Sequence, residues 1–211
     1  GLNTPDNKFL RAGVWALNAG VSPRAICVLL GGHSEFAEKY DEVASELNQR
    51  GFVVVTVDWR GQGASERLAR GSYKSHVTRF DEYELDLVTL FKQVVEPMSR
   101  ESGLPMIALA HSMGGHILLR FLHEYGKRIT CAVLTAPMVA INLGGVPSWV
   151  ARSVAFGANL RGPSQAFVFG AAAHDPLEIP FEQNTVTSDR GRYRRTQAIL
   201  KEKPYLRIFG P

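Results

Sequence analysis

The stretch of sequence that decides the fold reads Met106-Ile-Ala-Leu-Ala-His-Ser-Met-Gly-Gly115. Its first half is apolar and predicts a buried strand, and the residues that follow it carry apolar side chains at helical spacing. Ser112 therefore stands at a turn from strand to helix, in a variant of the G-x-S-x-G nucleophile elbow. So sharp a turn needs small residues two positions before and two positions after the serine. They are Ala110, which stands in place of the usual glycine, and Gly114. This context predicts that Ser112 is a catalytic nucleophile.

Similar apolar runs recur along the chain and alternate with amphipathic segments. Strands are predicted over residues 25–30, 52–58, 106–110 and 131–136. Helices are predicted over residues 36–47, 83–95 and 117–125, and Gly51 is placed to end the first of them. Apolar strands that alternate with amphipathic helices are typical of a mostly parallel sheet covered on both faces, and therefore of an α/β fold. Cys27 and Cys131 fall on such strands and are interpreted as small core residues.

The pattern changes after Pro137. Residues 139–181 are rich in Gly, Pro and Ala and contain no clear strand. Residues 147–156 predict an amphipathic helix, and a further helix is predicted after Thr187 and Ser188, ending before Pro204. This part of the chain therefore differs in kind from the strand and helix alternation that precedes it.

Two backbone amides are the candidates for an oxyanion hole. One follows the nucleophile and belongs to Met113, and the other belongs to His33, on the loop after the first predicted strand. Gly31 and Gly32 let that loop approach a substrate closely, although an ordinary strand-end turn also explains them. Glycines also follow the elbow, at Gly114 and Gly115. The start of the helix after Ser112 also favours a developing negative charge.

Composition excludes several classes of protein. The 211 residues are 45% hydrophobic and 21% charged, which is typical of one large globular domain. Two cysteines are too few for a disulfide scaffold or a cysteine-based zinc cluster, and no apolar run is long enough to span a bilayer. The pair Gly61-x-Gly63 is followed by Glu66 where a dinucleotide loop needs glycine, and no phosphate-loop or H-E-x-x-H motif occurs. No metal and no cofactor are therefore predicted.

The basic excess lies in the last part of the chain. The formal net charge is +4, and residues 1–150 carry 15 Lys and Arg against 15 Asp and Glu. The whole excess therefore falls in residues 151–211, where Arg190, Arg192, Arg194 and Arg195 cluster. Such a cluster favours an anionic partner such as a phosphate head group or an anionic membrane, while a solvated helix face explains it equally well. No aromatic and basic recognition motif accompanies it, so no nucleic acid is expected.

Three runs together resemble a known family. They are residues 32–40, residues 58–65 and residues 111–115, and they are similar to the α/β-hydrolase subfamily of bacterial lysophospholipases and monoacylglycerol lipases, whose pattern serine-aminopeptidase-type hydrolases share. The later run from Asn184 to Tyr193 resembles the lysophospholipase branch. Gly31 departs from the pattern, since monoacylglycerol lipases usually have histidine there. The resemblance implies a hydrolase core over residues 1–138, a lid over residues 139–203, and a return to the core over residues 204–211.

The triad of this family runs in the order serine, acid, histidine. The histidines downstream of Ser112 are His116, His123 and His174, and none of them follows Asp175 or Asp189. Glu124 precedes His174 but lies on the elbow helix, too early for the acid position. His111 and His116 flank the serine and are expected to point elsewhere. We therefore expect the acid and the base to lie beyond Pro211. The chain would then be a fragment truncated at its C-terminal end and inactive by itself.

The resemblance implies a serine hydrolase that cleaves the carboxylic ester of a lysophospholipid through an acyl-enzyme on Ser112. Monoacylglycerol lipase or general carboxylesterase activity is the alternative among enzymes, and an acyl-binding protein without catalysis is the alternative of another class. Lid contacts to an acyl chain are expected from Trp149, Val150, Val154 and Phe156, and contacts to an anionic head group from Arg192 and Arg195. The expected location is the cytoplasm or, peripherally, the inner membrane.

Overall fold

A computed structural model describes residues 1–69, 73–140, 144–159 and 174–209. The strands are β1 (Leu2–Asn3), β2 (Phe9–Leu10), β3 (Ala12–Trp15), β4 (Ala25–Leu30), β5 (Phe52–Val57), β6 (Met106–His111) and β7 (Cys131–Thr135). The last five form the central sheet in the order β3-β5-β4-β6-β7, in which β3 is antiparallel to β5 and the other neighbours are parallel. The predicted mostly parallel sheet is therefore confirmed.

Helices connect the parallel strands, as the apolar spacing predicts. They are α1 (Asp41–Gln49), α2 (Glu82–Leu90), α3 (Glu96–Ser102), α4 (Ser112–Tyr125), α5 (Ser148–Asn159) and α6 (Arg190–Glu202), with a π-helical turn at Phe91–Val95. Short 3₁₀ turns cover Ala37–Tyr40, Gly126–Arg128, Phe181–Gln183 and Pro204–Leu206. Gly51 follows α1 with φ of 89°, a left-handed conformation that explains a glycine just past the helix end.

Strand β4 lies at the centre of the sheet and is buried along its whole length. Its side chains alternate between the two faces. Ile26, Val28 and Leu30 join the larger core, while Cys27 and Leu29 join a second core on the other side. Both faces of this strand are therefore covered, and for that reason it is apolar throughout.

Strand β7 is different, because it forms an edge of the described sheet. It pairs with β6 alone, its residues alternate between exposed and half-buried, and the Val133 side chain is 52% exposed. The prediction that Cys131 is a core residue is wrong, since its side chain is exposed. Within the described residues, this face of the edge strand is therefore largely open. Cys27 is buried as predicted, since it lies on the central strand.

The segment after Pro137 contains helices and turns, and its described part holds no strand. Asp189 begins α6, and its carboxylate accepts the Arg192 amide at 2.8 Å. The helix therefore begins slightly later than Thr187 and Ser188 indicated, since Asp189 is the residue that caps its orphan amides. No helix among the described residues is long and apolar enough to cross a membrane.

A buried arginine joins three parts of the core. The Arg60 side chain is 1% exposed and that of Asp86 is fully buried, and their closest N and O atoms lie 2.7 Å apart. Arg60 also reaches Asp6 at 2.7 Å and Glu82 at 3.2 Å. The N-terminal segment, the turn after β5 and helix α2 therefore meet at one guanidinium group. Burial raises the pKa of Asp86 to about 6 despite the opposing effect of Arg60.

Replacing Arg60 with alanine should lower the free energy of unfolding by about 3–5 kcal/mol, because it leaves the Asp86 carboxylate buried without its cation. The matched control is Arg79→Ala, which removes an exposed ion pair with Asp81 and should leave stability almost unchanged. Urea unfolding of the full-length protein measures both. Equal, small losses in the two variants would contradict a central role for Arg60.

Candidate active site

The turn at Ser112 has the geometry of a nucleophile elbow. Ser112 lies between β6 and α4 with φ of 51°, a left-handed conformation that non-glycine residues rarely adopt. A Cβ atom added to Gly114 would lie 2.4 Å from the Gly31 carbonyl oxygen and 2.7 Å from that of Leu30. On the other side of the turn, Ala110 is fully buried. Small residues are therefore required where the sequence has them.

The sheet order brings the serine beside the glycine loop. Strand β4 lies between β5 and β6, so the chain crosses from one side of β4 to the other, and the strand ends Leu30 and Ala110 are direct neighbours. Ligand sites in such sheets lie at the carboxyl ends of the strands where the direction of winding changes. A Cβ atom on Gly32 would lie 3.0 Å from the Ser112 Cβ. The predicted loop and nucleophile therefore meet.

The two amides predicted for the oxyanion hole lie on either side of this meeting point. Met113 is in the first turn of α4, directly after the nucleophile, and His33 lies in the loop after β4. The amides on either side of His33 are already bonded, that of Gly32 to Glu35 and that of Ser34 to Gln62. Among the described residues, no acceptor is bonded to the His33 or Met113 amide. These two amides are therefore free to donate to a ligand.

Glu35 is a site residue that sequence reasoning missed. Its carboxylate accepts the Gly32 amide and Lys39 Nζ, each at 2.5 Å, and also the Tyr40 hydroxyl. Burial opposes ionisation, but the charge of Lys39 and these hydrogen bonds outweigh it and hold the pKa of Glu35 below its ordinary value. Lys39 and Tyr40 follow at i+4 and i+5, so spacing alone could have indicated the cluster, but not its contact with Gly32.

Asp58, at the end of β5, organises the neighbouring loop. Its carboxylate accepts the amides of Ala37 at 2.9 Å and Ala64 at 2.7 Å, and it pairs with Arg11. A Cβ atom on Gly63 would lie 2.0 Å from this carboxylate, so the loop closes around Asp58. Burial raises the pKa of Asp58 against the opposing effect of Arg11. This residue supports the loop and does not line the cavity.

A cavity of about 800 Å³ opens above Ser112. One wall consists of the glycine loop, Ser112 and the end of β7, and the opposite wall comes from residues 176–208. The apolar lining is supplied mainly by Leu30, Phe36, Val43, Leu109, Ile179, Val186, Leu200, Leu206 and Ile208. Pockets with mostly apolar walls and a few polar groups are typical of small-molecule sites.

The predicted site residues divide into three groups. Gly32, His33, Ser112, Arg192 and Arg195 line the cavity. Gly31, Met113, Gly114 and Gly115 form the closely packed backbone beneath it. The helix α5 residues Trp149, Val150, Val154 and Phe156 do not line it, and Trp149 and Phe156 are each 68% exposed.

The two cavity arginines share one carboxylate. Glu42, on α1, lies 3.0 Å from Arg192 Nη2 and 2.8 Å from Arg195 Nη2. Hydrogen bonding to Arg192 holds the pKa of Glu42 below its ordinary value. The cluster therefore has a net charge of +1 at the mouth of an apolar cavity.

The residues of the run from Asn184 to Tyr193 have local structural partners. The Asn184 amide group donates to the Thr187 carbonyl at 2.5 Å, and Tyr193 Oη donates to the Ile179 carbonyl at 2.6 Å. Asp189 caps α6, as described above. The run therefore shapes the wall that carries Arg192.

Among the described residues, no histidine is placed to act as a base on Ser112. His33 and His111 both line the cavity, but His33 Nδ1 lies 3.0 Å from Ser34 Oγ and His111 Nδ1 lies 3.2 Å from the Thr135 carbonyl oxygen. The His116 ring packs edge-on against Phe80, and the side chains of His123 and His174 are exposed. In the described part of the chain, no histidine is bonded to the Ser112 hydroxyl.

The parallel sheet, its connecting helices and the elbow serine define the chain as an α/β hydrolase. It belongs to the family described as serine aminopeptidase, S33, whose match covers residues 21–209. It is 35% identical over 186 residues to lysophospholipase L2 of Escherichia coli K12, covering 88% of this chain and 53% of that protein. It is 32% identical over 155 residues to a monoacylglycerol lipase of Mycolicibacterium smegmatis, covering 73% and 52%.

Solved structures agree on the fold. A soluble variant of monoglyceride lipase from Saccharomyces cerevisiae, in complex with a substrate analogue, aligns with a TM-score of 0.70 at 18% identity. The alignment covers 100% of this chain and 63% of that one. The chain thus spans about half the length of the curated relatives it matches and under two thirds of this structure.

Gly114→Ala should lower the free energy of unfolding by about 1–3 kcal/mol, because the new methyl group would clash with two backbone carbonyls. Gly157→Ala is the control, since an added Cβ on Gly157, in α5, would have no described atom outside its own helix backbone within 4 Å. It should leave stability unchanged or raise it by up to about 1 kcal/mol. Urea unfolding of the full-length variants tests this, and an unaffected Gly114→Ala variant would contradict the close packing of the elbow.

Proposed function

We propose that the protein hydrolyses the carboxylic ester of a lysophospholipid through an acyl-enzyme on Ser112. The observation that carries the proposal is the strained Ser112 on an apolar cavity, close to two amides that have no acceptor among the described residues. The similarity to lysophospholipase L2 supports the choice of substrate.

The chemistry would follow the serine hydrolase pattern. Ser112 Oγ attacks the ester carbonyl as a histidine takes its proton, and the amides of His33 and Met113 stabilise the oxyanion. Each such donor is typically worth about 3–4 kcal/mol in the transition state. The C–O bond then breaks, the histidine returns the proton to the leaving alcohol, and water releases the fatty acid by the same steps. We propose that the histidine and its acidic partner lie outside these 211 residues.

The cavity suits an acyl chain with an anionic group at one end. Leu200, Leu206 and Ile208 form part of its apolar lining, while Arg192 and Arg195 stand at its mouth. A phosphate group would compete with Glu42 for the two guanidinium groups. This arrangement favours a lysophospholipid over a neutral monoacylglycerol, which offers no anion to the arginines.

The predicted lid would receive the substrate from a surface. Helix α5 exposes Trp149, Val154 and Phe156, and the α6 arginines add positive charge. A segment that holds both an exposed apolar helix and a basic helix suits peripheral contact with an anionic membrane. We therefore retain residues 139–203 as a proposed lid and the inner membrane surface or the cytoplasm as the proposed location.

Two other functions remain as alternatives. Monoacylglycerol lipase or general carboxylesterase activity would use the same site, with no role for the two arginines. The similarity to the mycobacterial enzyme supports the first of these activities. An aminopeptidase is disfavoured, because it needs acidic groups to hold a free amine and the cavity mouth has net positive charge. A non-catalytic acyl-binding protein would use the cavity alone.

A fluorophosphonate probe should label Ser112 of the full-length protein, because the elbow presents this hydroxyl to the cavity. Ser112→Ala should abolish labelling and ester hydrolysis. Ser153→Ala is a matched control on α5 and should leave both unchanged. Intact mass and peptide mapping locate the label. A wild-type protein that binds fatty acid but is never labelled would favour the acyl-binding alternative.

The double variant Arg192→Ala, Arg195→Ala should lower the preference for lysophosphatidylcholine over monoacylglycerol, measured as a ratio of kcat/KM, by roughly three- to tenfold. Arg190→Ala is the control, since Arg190 pairs with Glu182 and does not line the cavity. An unchanged preference in the double variant would remove the head-group role from the two arginines.

A further inference from the structure

The loop that carries the predicted oxyanion donor is held by two side chains, one from its own C-terminal end and one from the turn after β5. Glu35 accepts the Gly32 amide at 2.5 Å, and Gln62 Oε1 accepts the Ser34 amide at 2.6 Å. These are the two amides on either side of His33. We propose that Glu35 and Gln62 act as positioning residues, a two-point clamp that fixes the direction of the His33 amide for oxyanion binding. The proposal rests on the proposed function, which it deepens.

The loop needs a clamp because its backbone is strained. Ser34 has φ of 61°, a left-handed conformation that is unfavourable for a non-glycine residue and persists only where the surroundings hold it. Without its two acceptors, the peptide groups around His33 could rotate toward ordinary conformations. An oxyanion donor is effective only when it is held in place before the reaction begins.

Each part of the clamp is itself rigid. Gln62 is fully buried, and its Nε2 atom donates to Tyr83 Oη at 3.3 Å, which orients the amide group with its oxygen toward Ser34. Glu35 is held by Lys39 and Tyr40. Neither side chain is therefore free to leave the loop.

The clamp also explains the composition of the loop. A Cβ atom on Gly32 would lie 3.1 Å from Glu35 Oε2 and 3.0 Å from Ser112 Cβ. The space between the clamp and the nucleophile therefore has little room for a side chain at this position. A carboxylate so near would disfavour an oxyanion. Lys39, at 2.5 Å from Glu35 Oε1, balances that charge.

The test compares acceptor-deleting and acceptor-keeping variants of the full-length protein. Glu35→Leu and Gln62→Met remove the acceptor oxygen, whereas Glu35→Gln keeps one. With a soluble p-nitrophenyl ester, the two deleting variants should lose about 10- to 100-fold in kcat, with KM changed less than about threefold. The acceptor-keeping variant Glu35→Gln should recover most of kcat. Glu46→Gln, an exposed carboxylate on α1, is the control and should match wild type.

Hydrogen–deuterium exchange of residues 30–36 separates the clamp from the proposed function. Exchange in this segment should accelerate in the two deleting variants and stay near the wild-type rate in Glu35→Gln. If it does not accelerate in the deleting variants, the clamp is overturned, whether or not the protein hydrolyses esters. If wild type shows no turnover and no label at Ser112 while exchange responds as stated, the proposed function fails and the clamp stands. If one deleting variant does not fold, the other decides: a kcat and an exchange rate equal to those of the wild type in that variant would overturn the clamp.

Discussion

The contact between the first turn of α4 and the end of β4 is the constraint on which the site depends. Gly114 meets the carbonyl oxygens of Gly31 and Leu30 so closely that no side chain fits there. This contact sets the position of the helix start, which in turn forces Ser112 into its left-handed conformation. It also brings the glycine loop against the nucleophile. The close packing of Gly114 against these two carbonyl oxygens therefore positions the serine, the start of the helix and the loop amides together.

The parts of the fold that repeat with a regular period could be predicted from the sequence. The runs at 25–30 and 106–110 gave strands within a residue of their observed ends, because buried parallel strands are apolar throughout. Strand β3 has no such run and pairs only at the edge of the sheet, so it carries no signal. The burial of Cys131 was predicted wrongly because a strand pattern does not show whether a neighbour covers it.

The site was predictable only in part. The Ser112 elbow has a local signature, but Gln62 and Asp58 bind backbone amides that lie near them only after folding, and the contact of Glu35 with Gly32 depends on the conformation of the loop between them. Such polar partners have no period, and their spacing reflects loop geometry. The cavity wall formed by residues 176–208 could not be predicted for the same reason, because contacts between distant parts of the chain hold it. Lys203 lies 3.1 Å from Glu38, and Arg67 donates to the Tyr205 carbonyl at 2.7 Å. These contacts tie the segment after Asp189 to the core and so close the cavity.

Strand β7 has a consequence for handling the protein. Its outer edge presents backbone donors and acceptors in a row, and Val133 stands exposed beside them. An apolar edge of this kind is a template on which another polypeptide can add a strand, so it promotes self-association and precipitation at high concentration. A strand added at this edge would remove that tendency, which the net charge of +4 on the chain opposes only through general repulsion.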